Sequence, residues 1–453
     1  MTRGLSTVGA ARASSRRSLL RSFALIASAL CTTLPPLALA DAGAAAQATG
    51  GLRRITAWGT SQQQNTTPVP ITNATVRMIA RVTIPGEAVS FRLDNTYGAT
   101  PVTIGRAFIG PRIQGAALAV GLNRQATFGG NASVVIPVGG SVTSDPVPLR
   151  VFAQQDLAVS LYVPGANVLA SQHGGAVVTS YLSANGSGDV TADETRTPYT
   201  LTTTSMLWLK SIDVYSRSST GAVVAFGDSI TDGTCTTLDA HDRWEDIVAV
   251  RLDTPERNGF GRLGVNYDLF DRFDRKADGH KSIVNEGIGG NTVTRAVQPG
   301  PDSTPGVERF DRDVLSHSGV THVIVFMGTN DIRREASAAQ VIAGLQDIAR
   351  RARAHGLKVI GVTIVPRHNV SPVGTNTGWN TAKTVIRNQV NQWIRTTNLF
   401  DDVIDFDRVV RDPGDPNLLY PAFNCGDGIH PSPAGYYQMG KSVDLDLLDG
   451  GRP

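Results

Sequence analysis

Cysteine is scarce: the 453 residues include only three, too few for a scaffold held together by disulfides. Aromatic residues make up 6% and charged residues 18%. With 41% hydrophobic content the chain can still bury a substantial core, which excludes a disordered chain. Beyond the N-terminal region no charge-free apolar run reaches the roughly 20 residues of a membrane-spanning helix. The 47 Gly and 24 Pro are dispersed, so there is no fibrous period or low-complexity tract. A length of 453 residues is too great for one ordinary domain and suits two.

Acidic residues are missing from residues 1–40, which hold arginines at positions 3, 12, 16, 17 and 21. An apolar run over residues 23–30 follows, then Ala38-Leu39-Ala40 before Asp41. That is the plan of an export signal cleaved after Ala40, so the mature chain is expected to be secreted or periplasmic. Ser15-Arg16-Arg17-Ser18-Leu19-Leu20 fits a twin-arginine signal or an ordinary basic leader, and Cys31 leaves with it. Taking five arginines from 42 Lys and Arg leaves 37 against 39 Asp and Glu, a net charge of −2. A nucleic-acid partner then lacks its main electrostatic attraction.

From about residue 53 to 216 the pattern is one of short strands and turns. Residues 76–84, 89–93, 133–137, 157–163 and 176–182 are apolar or alternating runs, most of them closed by Pro, Gly or Asn. This spacing predicts an all-β sandwich or jelly roll over residues 41–216. After Gly221 strands alternate with helices. Apolar runs at 222–226, 282–284, 320–326, 358–365 and 403–406 are separated by helical stretches. In residues 339–352, Val341, Ile342, Leu345, Ile348 and Ala349 share a face; in 382–395, Val385, Ile386, Val390, Trp393 and Ile394 do. Such alternation predicts an α/β domain over residues 217–449, with a mainly parallel sheet whose reactive site lies beyond the strand C-termini.

The chemically suggestive residues fall at those strand ends. Gly227-Asp228-Ser229-Ile230-Thr231-Asp232-Gly233 follows the first α/β strand. A serine on such a turn is exposed beside helix-start N–H groups that stabilise negative charge, or it merely caps the helix. Asp427-Gly428-Ile429-His430-Pro431 places an acid three residues before a histidine. That spacing can orient an imidazole as a base, and metal binding by the pair is the competing chemistry. Asn285-Glu286-Gly287-Ile288-Gly289-Gly290-Asn291 and Gly328-Thr329-Asn330-Asp331 follow two further strands. A glycine N–H and an asparagine amide there can serve as oxyanion donors.

These four blocks, in this order, resemble those of the SGNH hydrolases, the GDSL-type esterase and lipase superfamily. The resemblance implies Ser229 as nucleophile, His430 as base and Asp427 as its orienting acid. It implies the Ser229 N–H, the Gly290 N–H and Asn330 Nδ2 as oxyanion donors. It also implies a three-layer α/β/α flavodoxin-like fold, ester hydrolysis through an acyl-enzyme, and no metal or organic cofactor. The β-rich part lies outside it, in an arrangement that resembles some secreted carbohydrate esterases.

The expected substrate is a small-molecule or polysaccharide ester, foremost an acetylated or feruloylated carbohydrate. A lipase or arylesterase of short acyl esters, and a non-catalytic carbohydrate-binding protein, are the alternatives. Trp244, Trp379 and Tyr420 are candidates for stacking on sugar rings, with core packing as the alternative for each. Cys235 lies six residues after Ser229 and Cys425 two before Asp427. A fold that joins Ser229 to His430 therefore brings these cysteines together, and in an exported protein they are expected to form a disulfide. Two other patterns are discounted. Gly259-Phe260-Gly261-Arg262-Leu263-Gly264 follows no strand, as a dinucleotide loop would. Asp239-Ala240-His241-Asp242 reads as a capped loop before a helix rather than as metal ligands.

Overall fold

A computed structural model describes residues 49–64, 69–253, 280–297, 303–367 and 379–449. The expected leader 1–40, the glycine-rich segment 259–264 and residues 371–378 lie outside the described residues.

From Arg53 to Ser216 the described residues contain strands and turns and no helix. One sheet runs in the order Arg53–Gly59, Leu209–Ser216, Gly86–Asp94, Val147–Val151. A second runs Leu201–Thr203, Ser180–Leu182, Ala74–Val82, Gln155–Val163, Arg106–Gln114. Neighbours along both paths are antiparallel. The sequence alternation has a direct outcome in Val147–Val151, where buried and exposed residues alternate without exception. Ala74–Val82 is buried at all but one position, as a strand covered on both faces must be.

The α/β part begins with β1 (Ser219–Gly227), α1 (Ser229–Asp232), α2 (Trp244–Asp253) and β2 (His280–Gly287). It continues with β3 (Val320–Phe326), α3 (Thr329–Arg333), α4 (Ala338–Ala354), β4 (Lys358–Val362), α5 (Thr381–Thr396), β5 (Asp402–Ile404) and α6 (Pro433–Ser442). The sheet order is β2-β1-β3-β4-β5, and every adjacent pair is parallel. β1 is an interior strand between the edge strand β2 and β3, so the turn after it opens at the sheet's C-terminal edge beside the ends of both neighbours.

Local sequence explains the helix boundaries. Ser337 and Gln340 form a capping box at the start of α4. Asn380 caps α5 by accepting from Lys383 N at 3.0 Å, and Ser432 with Pro433 starts α6. α4 buries Val341, Leu345, Ile348 and Ala349, the face that the sequence periodicity indicates. α5 corrects its expected face. Val390 and Ile394 are buried, but Val385 is 51% exposed, and Lys383, Thr384, Arg387 and Asn391 turn inward. The cause is hydrogen bonding: Asn391 closes a two-way pair with the Ile364 peptide at 2.7 and 2.8 Å, and Lys383 Nζ donates to Arg333 O at 2.8 Å. Buried backbone groups need partners, and this requirement outweighs burial of one valine.

The β-rich and α/β parts share one apolar cluster, which includes Phe91 and Trp208 from the first and Phe226, Val284 and Leu345 from the second. Buried charge also joins them. Lys210 Nζ lies 2.8 Å from both Glu286 Oε2 and Asp313 Oδ1, and His317 Nε2 lies 2.6 Å from Glu286 Oε1. Burial alone would raise the Glu286 pKa, but Lys210 and His317 hold it below the usual carboxylate range. Losing one member of this cluster would strand the others uncompensated in the interior.

Candidate active site

Ser229 opens α1 immediately after β1. Asp228 caps the turn by accepting from Ile230 N at 3.1 Å, and its complete burial pushes its pKa up to about 6. β2 can approach this turn closely because it ends in a glycine. A Cβ on Gly287, at the end of β2, would sit 2.2 Å from Asp232 N.

Asp427 and His430 arrive from a loop near the C-terminus, held by backbone N–H donors. Ile429 N and His430 N donate to Asp427 Oδ1 at 2.8 and 2.9 Å. Asp427 Oδ2 lies 2.5 Å from His430 Nδ1, and His430 Nε2 lies 2.9 Å from Ser229 Oγ. Burial would raise the Asp427 pKa, yet its hydrogen bonds with His430 hold it at about 2. An ionised Asp427 accepts only, so Nδ1 carries the ring proton. Nε2 is then the acceptor for the Ser229 hydroxyl.

The two asparagine- and glycine-bearing loops meet beside this file. Gly290 has φ +71, a left-handed conformation that costs glycine little, and its carbonyl accepts from Arg334 Nη1 at 2.9 Å. Asn330 is buried near the start of α3 and donates through Nδ2 to Asn291 O at 3.1 Å. An amide nitrogen has two hydrogens, so this bond leaves a second donor. Asp331 fixes the loop by accepting from Val293 N and Thr294 N, each at 2.9 Å. Asp232 ties the Ser229 turn to the same region by accepting from Gly289 N at 2.9 Å.

Cys235 and Cys425 form a disulfide with 6.3 Å between Cα atoms and a sequence separation of 190. It abuts the serine–histidine file: Cys235 Sγ and the nearest donor atoms of Asp427 and His430 lie within 4.8 Å of one another. With Cys235 in the disulfide, that set offers a metal no thiolate.

The other candidates fall elsewhere. Trp244 is wholly buried, edge-on to Phe406, and Trp379 is buried with its Nε1 donating to Thr384 Oγ1. Neither can stack on a sugar, whereas Tyr420 is 40% exposed. Asp239 binds Thr179 while Asp242 binds Thr237 N, so that loop is capped and its acids diverge.

Two arginines near the site carry no motif in the sequence. Arg309 is buried and donates to Asn291 Oδ1 at 3.0 Å and to Gly227 O at 2.8 Å, fastening the ends of two site loops. Arg367 is also buried, and burial lowers its pKa to about 10 despite nearby Asp228 and Asp427. Arg309 lies 82 residues along the chain from the Gly227 carbonyl that it binds.

Residues 225–438 match the GDSL-like lipase/acylhydrolase family. This stretch is a GDSL-like lipase/acylhydrolase domain. Solved structures similar to the chain include a carbohydrate acetylesterase from Sinorhizobium meliloti, at 17% identity. That match covers 50% of this chain and 98% of the other, with a TM-score of 0.36. The aryl esterase of M. smegmatis is 18% identical over 50% of this chain and 98% of its own, with a TM-score of 0.36. No curated protein sequence matches the chain. Among the described residues no helix is long and apolar enough to cross a membrane.

Proposed function

We propose that the chain is an exported serine esterase that removes acetyl or feruloyl groups from carbohydrate. The observation that carries this reading is the file Ser229–His430–Asp427, with contacts of 2.9 and 2.5 Å. In this mechanism Ser229 Oγ attacks the ester carbonyl and passes its proton to His430 Nε2. Asp427 stabilises the resulting imidazolium. The Ser229 and Gly290 N–H groups and Asn330 Nδ2 receive the oxyanion. His430 then protonates the leaving alcohol, and a water, deprotonated by the same ring, attacks the acyl-enzyme to release the acid. No step needs a metal or organic cofactor.

In this reading residues 1–40 are an export leader and residues 41–216 a jelly-roll-like domain. Residues 217–449 are the hydrolase domain, of flavodoxin-like α/β/α layers. The intact file argues against a purely carbohydrate-binding role.

Acid release from acetylated xylan, feruloylated arabinoxylan, pectin and tributyrin, alongside p-nitrophenyl acetate, tests the substrate. Release from a polysaccharide supports the proposal. Hydrolysis of only tributyrin and p-nitrophenyl acetate indicates a broader short-acyl esterase, and turnover of none contradicts an esterase.

A further inference from the structure

One histidine of the β-rich part reaches the nucleophile turn. His173 belongs to a short strand, Gln172–His173, paired antiparallel with Met206–Leu207. Its side chain is buried, with Nδ1 2.8 Å from Ser61 O and Nε2 2.9 Å from Asp232 Oδ1. Asp232 is the last residue of α1, the one-turn helix that Ser229 opens. Its other oxygen accepts from Gly289 N at 2.9 Å, and its carbonyl accepts from Arg243 Nε at 2.8 Å. Asp232 therefore bridges the nucleophile turn and the loop that bears Gly290, and His173 is the group that fixes its carboxylate from the far side.

We propose that His173 is a positioning residue for the reaction at Ser229, contributed by the β-rich part. Through Asp232 it holds the nucleophile turn and the Gly289-Gly290 loop at their working separation. This inference rests on the esterase reading. It gives the β-rich part a role in the chemistry itself, since a small misplacement of an oxyanion donor relative to the nucleophile is costly in rate.

The two acceptors define the state of the ring. A peptide carbonyl can only accept, and so can an ionised carboxylate, so a ring protonated at both nitrogens satisfies both contacts. Burial opposes the charge, but Asp232 raises the His173 pKa above its ordinary 6.5. The other charged and titratable groups lining the cavity around it are Arg81, His241, Arg243, Glu245 and Asp246. Of these, Arg243 opposes the ring charge. Raised in the folded state, the ring keeps its second proton below 6.5 and loses it as pH rises through the folded value.

The test is steady-state hydrolysis of p-nitrophenyl acetate by full-length wild type, H173A, H173Q and S229A, where circular dichroism shows each folded. H173A should lose about tenfold or more of kcat with KM within about twofold, as expected when geometry rather than substrate binding is lost. H173Q, whose amide still reaches Asp232 as a donor, should recover most of that loss. The fall in wild-type kcat as His173 deprotonates at rising pH should be absent from H173Q. Wild-type kcat in folded H173A, even with a lowered melting temperature, overturns the proposal, as does a loss confined to KM. Activity retained by S229A would instead remove the esterase reading beneath it. If H173A does not fold, long-range imidazole ¹H–¹⁵N correlations of the wild type at pH 6.5 decide. A ring mostly protonated at both nitrogens supports the clamp, and a neutral ring overturns it.

Discussion

His430 Nε2 lies 2.9 Å from Ser229 Oγ across a sequence separation of 201 residues. Two loops that are local in sequence, each with its own hydrogen bonds, thus meet at one proton-transfer distance. The disulfide between Cys235 and Cys425 closes the same gap a few residues away.

Asp427→Asn tests the orienting acid. The Oδ1 atom accepts two backbone N–H groups while Oδ2 faces His430 Nδ1, and an amide cannot accept at both atoms. The variant should misassign the imidazole tautomer and lower kcat about 10³-fold with little change in KM. Because Asp427 is held at about 2, its stabilising charge is present above the ordinary carboxylate value and is lost only as pH falls toward 2. An acid limb in the kcat profile should therefore not derive from Asp427.

In the proposed mechanism Asn330→Ala removes one oxyanion donor, and it also removes the bond to Asn291 O. We expect about 3 kcal/mol less transition-state stabilisation, read mainly in kcat. An effect confined to KM would assign Asn330 to ground-state binding.

Reducing the disulfide should lower the melting temperature and kcat together, because the bond holds the Ser229 turn against the Asp427–His430 loop of the proposed mechanism. Closing a loop of 190 residues restricts the unfolded chain by at most about 5 kcal/mol in the chain-entropy picture. Thiol titration of the denatured, unreduced protein lacking residues 1–40, and so Cys31, should find none; two free thiols would contradict the bond.

Burial raises Asp228 to about 6 and Asp331 to about 7. In the folded protein these carboxyls bind protons that the unfolded chain releases near 3.8. Their contribution to stability therefore falls as pH rises from about 4 to about 7. Melting temperatures across that range should show the decline, and Asp331→Asn, which cannot ionise, should flatten it.

Much of the α/β part is legible in the sequence because its signals are local. The apolar run 320–326 coincides with β3, and the capping box at Ser337 starts α4. α5 misleads because Asn391 and Lys383 turn inward to bond backbone groups of other segments, a demand that periodicity does not encode. Three of the proposed site motifs stand directly after a strand, where an α/β sequence draws attention to them, whereas Asp427 and His430 lie on a loop well beyond β5. His173 with Asp232, Lys210 with Glu286 and Arg309 with Gly227 are not legible, since these pairs join residues 59, 76 and 82 positions apart without a pattern. The packing of the β-rich part on the α/β part puts the first two pairs in contact, and the fold of the α/β part itself the third.

The most direct test of the central claim is covalent labelling of the full-length protein with a serine-directed fluorophosphonate, followed by peptide mass mapping. Attack by the activated hydroxyl displaces fluoride and leaves one phosphonyl group on the nucleophile. The account predicts a single adduct on the peptide that contains Ser229, loss of p-nitrophenyl acetate turnover in proportion to labelling, and no adduct on S229A. An adduct on another residue that tracks the loss of activity, or full turnover in S229A, would contradict it.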